Sequence, residues 1–296
     1  MVHLPADVAG AGSVELAVIA GALTRAAERA LPAMPSALVG PAAETLGTLA
    51  YLAAPRARRA VAANLAVIAP ERRDRGTLVR RVFIEQTRNY LDVFRIPRID
   101  PQELLASIRT EGWEHFVSAH QLGRGVVVAS AHLGPIPLVG QMLVAHGYEV
   151  IVPLETERSE LQRAINRARR GLGLQFIPTD TPLGVRRVLR EGKVLGFLAD
   201  RATTGVGERV PFFGHDALLP SAHVALAMRS GAPLVPGFAL RVDGVMTASF
   251  EAPLDIPDTG DREADLLEGV RRWGEVLARY IRRAPEQWAH FERVWP

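Results

Sequence analysis

The stretch Gly125-Val-Val-Val-Ala-Ser-Ala-His132-Leu-Gly-Pro-Ile-Pro137 decides the fold prediction. A short apolar run rich in valine is typical of a buried strand, and this one ends on a histidine. The Leu-Gly-Pro that follows starts a new apolar segment, which we predict to be a helix. Because open α/β sheets bind ligands beyond the carboxyl ends of their strands, His132 lies where a functional residue is expected. An imidazole titrates near neutral pH and can take a proton from a hydroxyl group.

Strands and helices alternate after residue 110. The predicted strands are 125–131, 149–153, 174–177, 193–199, 233–241 and 245–251. The predicted helices between and after them are 136–146, 158–171, 181–191, 219–230 and 262–283. This alternation predicts an α/β fold with a mostly parallel central sheet flanked by helices. The last two strands are joined at Asp243-Gly244, which predicts a hairpin.

The first part of the chain is predicted to be helical throughout. We expect residues 1–100 to form an N-terminal helical segment and residues 101–296 to form the α/β core. The predicted N-terminal helices are 14–31, 36–54, 56–68 and 74–95. The first two are apolar and alanine-rich but short of the roughly 20 apolar residues that a spanning helix needs. Either they lie in a membrane interface or they pack on the core, and composition favours neither. No secretory signal pattern is present at the start.

Composition excludes several functions. There is no cysteine, which excludes disulfides, thiolate metal sites and a cysteine nucleophile. No two histidines have the spacing of a helical metal pair, so we expect no metal. The net charge is +3 and no basic run is interleaved with aromatic residues, so we expect no nucleic acid. Lys193 is the sole lysine, and the arginine bias has two explanations, a GC-rich genome or selection for phosphate binding.

A second buried strand also ends in polar residues. In Lys193-Val-Leu-Gly-Phe-Leu-Ala-Asp200-Arg201 an apolar run precedes an acid and a base. Beside the first strand in a parallel sheet, it brings Asp200 and Arg201 to the same edge as His132. The alternative interpretation is that Asp200 caps the following turn.

Two further segments have both a functional and a structural interpretation. The glycine-bearing loop 203–214 leads to two adjacent aromatic residues, Phe212 and Phe213, which either line a slot for an acyl chain or fill the core. The segment 161–173 carries four arginines within eight residues, which usually form a solvated helix face. At a helix end near the strand edge, one of them could instead bind a phosphate or an oxyanion.

Taken in order, these motifs resemble a known family. The chain is similar to the bacterial late acyltransferases of lipid A synthesis, which are lauroyl and myristoyl transferases, and to the mycobacterial phosphatidylinositol mannoside acyltransferase. The similar motifs are Arg59-Ala-Val-Ala-Ala-Asn64-Leu65 with Pro70, Ala131-His132-Leu-Gly134, Asp200-Arg201, Val210-Pro-Phe-Phe-Gly214, Leu234-Val-Pro236, and Pro285-Glu286-Gln287-Trp288 with Arg293 and Trp295. Each motif is weak alone, but their order over nearly the whole chain is specific.

The resemblance implies an O-acyltransferase. It implies transfer of a fatty acyl group from acyl-CoA or acyl carrier protein to a hydroxyl of a glycolipid or phospholipid, at the cytoplasmic face of the cell (inner) membrane. The thioester is already activated, so no cofactor is expected. In the family's HxxxxD/E motif, His132 would be the general base. The arginine that assists the thioester would be Arg169, with Arg170 as the alternative. Arg201, Phe212 and Phe213 would contact substrate.

The chain departs from the family pattern at one position. The residue five places after His132 is Pro137, where the family has an acid. Loss of a carboxylate that orients the imidazole can cost several orders of magnitude in rate. We therefore expect Asp200 or Glu208 to replace the acid.

Two other functions remain open. One is a weakened or inactive protein of the same fold that binds lipid or acyl-CoA, which Pro137 favours. The other is a hydrolase that uses Ser130 or Ser221 with His132. The hydrolase is the least favoured because neither serine stands in a G-x-S-x-G elbow.

Overall fold

The computed structural model describes residue 21 and residues 24–154, 159–179, 182–202 and 205–295. The α-helices are α1 Ser36–Ala53, α2 Pro55–Ile68, α3 Arg75–Arg95, α4 Pro101–Ser107, α5 Trp113–Gln121, α6 Ile136–Ala145, α7 Glu160–Arg169, α8 Pro182–Arg190, α9 Ala222–Ser230 and α10 Arg262–Arg283. The strands are β1 Ile108–Glu111, β2 Val126–Ser130, β3 Val150–Leu154, β4 Gln175–Pro178, β5 Val194–Leu198, β6 Glu208–Phe212, β7 His215–Leu219, β8 Leu234–Val242 and β9 Val245–Phe250.

Seven strands form the central sheet, in the order β1-β9-β8-β2-β5-β3-β4. The pair β8 and β9 is antiparallel, and the other neighbours in this sheet are parallel. The predicted α/β fold with a mostly parallel sheet is therefore confirmed. Strand β2 lies between β8 and β5, so its carboxyl end opens near the middle of the sheet edge.

The hairpin between β8 and β9 is confirmed. Val242 pairs with Val245, and the two turn residues, Asp243 and Gly244, have φ of 50° and 80°. Positive φ at both turn positions is the type I′ geometry, whose twist matches that of the flanking strands.

The structure differs from the predicted loop around Phe212 and Phe213. Residues 203 and 204 of the predicted loop lie outside the described residues, but from Glu208 onward the chain forms a second sheet, in which β6 pairs antiparallel with β7. The turn is Phe213-Gly214, again with positive φ at both residues. Alternate residues of a strand face the same side, and Val210 and Phe212 are both buried. Phe212 therefore points into the core.

The N-terminal helices agree with prediction where the structure describes them. Of the predicted helix 14–31, residues 14–20, 22 and 23 lie outside the described residues, and residues 24–30 are helical. No single helix in the described ranges has the length and apolar composition to cross a membrane, although α1 and α2, bent by 100°, pass that test as a pair. Helix α1 exposes a set of leucines: Leu38, Leu46, Leu49 and Leu52.

The two faces of the central sheet bury different side chains. One face packs against α9 and α10 around the fully buried Trp273, and we call it the tryptophan face. The other packs against α5, α6 and α7, and we call it the groove face. Strand β2 alternates between them, with Val127 and Ala129 on the tryptophan face and Val126 and Val128 on the groove face.

Candidate functional site

The carboxyl ends of β2 and β5 bring His132 and Asp200 together. The two strands are parallel and adjacent, with Ser130 opposite Leu198. His132 and Asp200 each follow two residues after these paired ends, so they leave the sheet side by side. Ligands of open α/β sheets bind at this edge.

Three hydrogen bonds fix the Asp200 carboxylate. Its Oδ1 atom lies 2.8 Å from His132 Nδ1 and accepts a bond of 3.1 Å from the main-chain N–H of His132. Its Oδ2 atom accepts a bond of 3.0 Å from the indole Nε1–H of Trp288. The Asp200 side chain is fully buried, whereas the His132 side chain is 34% exposed. The pair therefore has a rigid, dry acid and a histidine that substrate can reach.

Electrostatics keeps the acid ionised. Burial alone would raise the pKa of Asp200. The positive charge of His132, its hydrogen bond to the carboxylate and the charge of Arg201 instead hold the pKa of Asp200 well below its usual range. Since an ionised carboxylate can only accept, His132 Nδ1 carries the proton of this bond. When the imidazole is neutral, the lone pair of Nε2 is free to accept a proton from a hydroxyl group.

Pro137 has a local explanation. It is in the first turn of α6, where its fixed φ and missing N–H are tolerated. Its ring lines an apolar groove on the groove face of the sheet. The carboxylate beside His132 comes from the neighbouring strand instead, through Asp200.

The apolar groove runs between α6 and the strands β2, β3 and β5 and is open to solvent. Its wall consists of Val128, Ser130, Ile136, Pro137, Val139, Gly140, Leu143, Val150, Val152, Arg169, Leu174, Val194, Gly196, Phe197 and Leu198. Gly196 and Gly140 contribute no side chain to it, and a Cβ on either would sit no closer than 3.4 Å to its neighbours. The groove reaches Ser130 and Leu198, which lie two residues before His132 and Asp200.

Arg169 is the charged side chain in this wall. It ends α7, and its guanidinium lies 5.0 Å from the centre of the Phe176 ring, with Nη1 donating to Asn166 Oδ1 at 3.2 Å. Its buried Nε has no hydrogen-bond partner among the described residues. Burial lowers the pKa of Arg169 to about 10, so it stays cationic at neutral pH. The site thus holds a positive charge with a donor left unused.

Two of the other predicted site residues, Arg170 and Glu208, are not part of the groove wall. Arg170 is exposed, and its guanidinium stacks on the Phe176 ring at 4.9 Å. Glu208 begins β6 opposite Leu219, and within the described chain it makes no hydrogen bond to His132. Of the two acids considered as replacements for Pro137, the structure brings Asp200 to the histidine.

The remaining predicted contacts have structural surroundings. Arg201 donates to the main-chain carbonyl of Ala289, near the site. Phe212 is buried against Trp295, with ring centres 5.8 Å apart. The Phe213 ring lies 4.6 Å from the Arg282 guanidinium in a separate cleft. Neither phenylalanine lines the apolar groove.

Among the described residues, neither serine considered for a hydrolase makes a side-chain hydrogen bond to His132. Ser130 is buried in the groove wall, and its Oγ has no partner in the described ranges. Ser221 precedes α9 and is buried. In the part of the chain that the structure describes, no group of three His, Cys, Asp or Glu side chains is placed to hold a metal ion.

Sequence reasoning missed the contribution of the C-terminal segment 285–294. Besides the Trp288 bond to Asp200, the N–H of Ala289 donates to the carbonyl of His132 at 2.8 Å. The N–H of Gly134 donates to the carbonyl of Gln287 at 3.0 Å. The signal was present, since these residues stand in the closing motif, but a motif does not say what it touches.

Asn64 of α2 holds this same segment from the other side. Its Nδ2 donates to the Glu292 carbonyl at 2.7 Å, and its Oδ1 accepts from the N–H of Val294 at 3.1 Å. Asn64 is buried, and it makes a third main-chain bond, from Nδ2 to the His290 carbonyl at 3.3 Å. The N-terminal motif around Asn64 and the closing motif are therefore parts of one structure.

A partly exposed histidine held by a buried acid is an arrangement that enzymes use for general base catalysis. Comparison with known sequences identifies the family. The model of the bacterial lipid A biosynthesis acyltransferases matches residues 16–296, so the chain belongs to that family and is an acyltransferase. The resemblance found in the sequence motifs is thereby confirmed.

The relatives with a named activity include two phosphatidylinositol mannoside acyltransferases. The phosphatidylinositol mannoside acyltransferase of Mycolicibacterium smegmatis is 28% identical over 232 residues, which cover 74% of this chain and 72% of that protein. The protein of the same name from Mycobacterium tuberculosis is 30% identical over 157 residues, which cover 50% of each.

Proposed function

We propose that the protein transfers a fatty acyl group from acyl-CoA or acyl carrier protein to a hydroxyl group of a membrane glycolipid or phospholipid. The observation that carries the proposal is the His132–Asp200 pair at the end of the apolar groove. The groove suits an alkyl chain, since it is concave and almost wholly apolar. It ends where a base is available for the acceptor hydroxyl.

In the proposed reaction, His132 Nε2 takes the proton of the acceptor hydroxyl as its oxygen attacks the thioester carbonyl. A tetrahedral oxyanion forms, and it collapses with cleavage of the carbon–sulfur bond. The imidazolium then gives its proton to the leaving thiolate, so the products are an ester and a free thiol. Asp200 keeps the imidazole in the required tautomer and stabilises its charged form.

Arg169 is proposed to stabilise the oxyanion. It lies in the groove wall with its Nε donor unused among the described residues, and it remains charged at neutral pH. A cation in a largely apolar, water-poor site interacts more strongly with developing negative charge than it would in water.

The acceptor is proposed to be a hydroxyl group of a phosphatidylinositol mannoside. The names of the Mycolicibacterium smegmatis and Mycobacterium tuberculosis relatives support this choice. A lipid A precursor is the alternative acceptor, supported by the name of the family.

We further propose that α1 lies on the cytoplasmic face of the cell membrane, with residues 1–100 as the membrane-associating segment. Four leucines of α1 are 48–61% exposed, which is a large apolar surface for one helix. Helix α2 turns away by 100° and exposes Arg56 and Arg59 at its start, where they can meet anionic lipid headgroups.

The test is thioester consumption by the purified protein. Palmitoyl-CoA and palmitoyl-acyl carrier protein are each offered with phosphatidylinositol mannosides or with a lipid A precursor. We expect turnover with at least one combination and a loss of at least about 10³-fold in His132→Ala. His146→Ala, which changes an exposed histidine at the end of α6, is the matched control and should keep wild-type turnover.

The competing function is a protein of the same fold that binds lipid or acyl-CoA without turnover, and Pro137 is the observation that favours it. Binding of both donors with no turnover for any acceptor would support that function. Turnover that persists in His132→Ala would contradict the assignment of the base.

A further inference from the structure

The closing motif of the chain forms part of the catalytic edge. Residues 287–289 run antiparallel to the loop that carries His132, with a bridge between Leu133 and Trp288. The same loop packs closely against β8, because a Cβ on Gly134 would lie 2.2 Å from the carbonyl oxygen of Ala239. Gly134 has φ of 58°, so both its conformation and its space require glycine.

Trp288 completes the set of donors to the Asp200 carboxylate. Oδ1 receives both bonds from His132, and Oδ2 receives the indole bond. Without the indole, one oxygen of a buried anion would have no donor among the described residues. A carboxylate with one unsatisfied oxygen can rotate to seek another donor, and rotation would withdraw Oδ1 from the imidazole.

We propose that Trp288 is a positioning residue for acyl transfer, which holds Asp200 Oδ2 through its indole N–H so that Oδ1 stays on His132. The inference rests on the proposed function and adds to it a role for the closing motif. Trp288 acts through Asp200, and its effect is on the orientation of the base. Its loss should therefore lower kcat and leave KM for the acyl donor nearly unchanged.

Two substitutions separate this role from packing. Trp288→Phe keeps a large apolar ring and removes the N–H. Trp288→His loses more volume, but its five-membered ring superposes on that of the indole and places Nε2 where Nε1 was. We expect Trp288→Phe to lower kcat by about 10- to 100-fold and Trp288→His to retain more activity. A packing role predicts the reverse order, and that order would overturn the proposal.

Trp273→Phe is the matched control. Trp273 is also fully buried, and its indole N–H donates to the carbonyl of Ala199, one residue before Asp200, at 2.9 Å. Trp273→Phe removes an indole hydrogen bond to a neutral acceptor, the Ala199 carbonyl, close to Asp200. We expect its kcat to stay within a few-fold of wild type. An equal loss in Trp273→Phe and Trp288→Phe would show general loosening of the core and would overturn the proposal.

A second measurement does not depend on turnover. The chain has four tryptophans, so its ¹H–¹⁵N spectrum has four indole resonances, and the Trp288 signal is assigned by its loss in Trp288→Phe or Trp288→His. In Asp200→Asn the acceptor becomes neutral, so this proton should move upfield more than those of the other three. No such displacement would overturn the proposal. If wild-type protein lacks turnover, the proposed function fails, while this measurement still decides the contact.

Discussion

The two faces of the central sheet are built from the same strands but filled to different degrees. On the tryptophan face, Trp273 stacks on Phe238 with ring centres 5.7 Å apart, and Phe238 stacks on Tyr280 at 4.0 Å. On the groove face, glycines at 196 and 140 stand where side chains would fill the space between β5 and α6. The difference shows how one sheet supplies a rigid support on one face and an apolar groove on the other, with His132 and Asp200 at the edge between them.

The largest expected effect comes from emptying the tryptophan face. Trp273→Ala should reduce the free energy of unfolding by about 3–5 kcal/mol, because it leaves a cavity in close-packed surroundings. Val128→Ala, which truncates a buried side chain of the groove wall, should cost only about 1–2 kcal/mol. Urea unfolding measures both, and equal costs would contradict the comparison.

The next effect comes from filling the groove. Gly196→Leu puts a side chain into the proposed acyl site, so kcat/KM for a palmitoyl donor should fall about 10- to 100-fold, and much less for an octanoyl donor. Gly76→Leu, on an α3 position with open space around it, is the control and should leave the chain-length preference unchanged. Equal losses for long and short donors would show that the groove does not hold the chain.

The tryptophan face also contains a histidine that makes stability depend on pH. His223 is buried against Trp273, both ring nitrogens lack partners among the described residues, and burial lowers its pKa to about 3. In the unfolded chain His223 takes up a proton near pH 6.5, whereas in the folded protein it stays neutral down to about pH 3. The free energy of unfolding therefore falls as the pH drops below about 6.5, by up to about 1.4 kcal/mol per pH unit.

His223→Phe should remove this part of the slope in urea unfolding measured between pH 7 and pH 4. His146→Ala, at an exposed histidine, should leave the slope as it is. A wild-type slope that persists in His223→Phe would mean that other groups carry it.

The smallest expected effect is a gain in the free energy of unfolding. Gly140→Ala adds a methyl group to the interior of α6, with its Cβ 3.5 Å from Leu174. Helix propensity predicts about 0.5–1 kcal/mol of added stability. The same methyl narrows the groove, so turnover of the longest donors should drop slightly while thermal melting shifts upward. Loss of stability would show that the groove face is as tightly filled as the other.

Much of the fold was predictable because it follows from local patterns. The valine run of β2, the apolar run of β5 and the Asp243-Gly244 turn each identify an element within a few residues. The strand pair β6 and β7 was missed because its turn residue Phe213 adopts a positive φ that few non-glycine residues take. Such a turn resembles a loop in sequence.

The site was predictable only in its outline. Parallel neighbouring strands place His132 and Asp200 at one edge, and that argument needs the sequence alone. The choice of Asp200 over Glu208 depends on which side chain lies beside His132 Nδ1. The groove depends on how α6, which carries Gly140, packs over Gly196 of β5. The bond from Trp288 joins residues 88 positions apart, which no local pattern can reveal.

The pairing of residues 287–289 with the His132 loop also sets an order of assembly. The ribosome delivers His132 first, Asp200 next and Trp288 about 150 residues after His132. At typical synthesis rates that interval lasts roughly 8–30 s. During this interval the nascent chain contains His132 but lacks residues 287–289, which pair with the His132 loop. Under the proposed function, catalytic competence therefore arises late in synthesis, after α1 with its exposed leucines has left the ribosome.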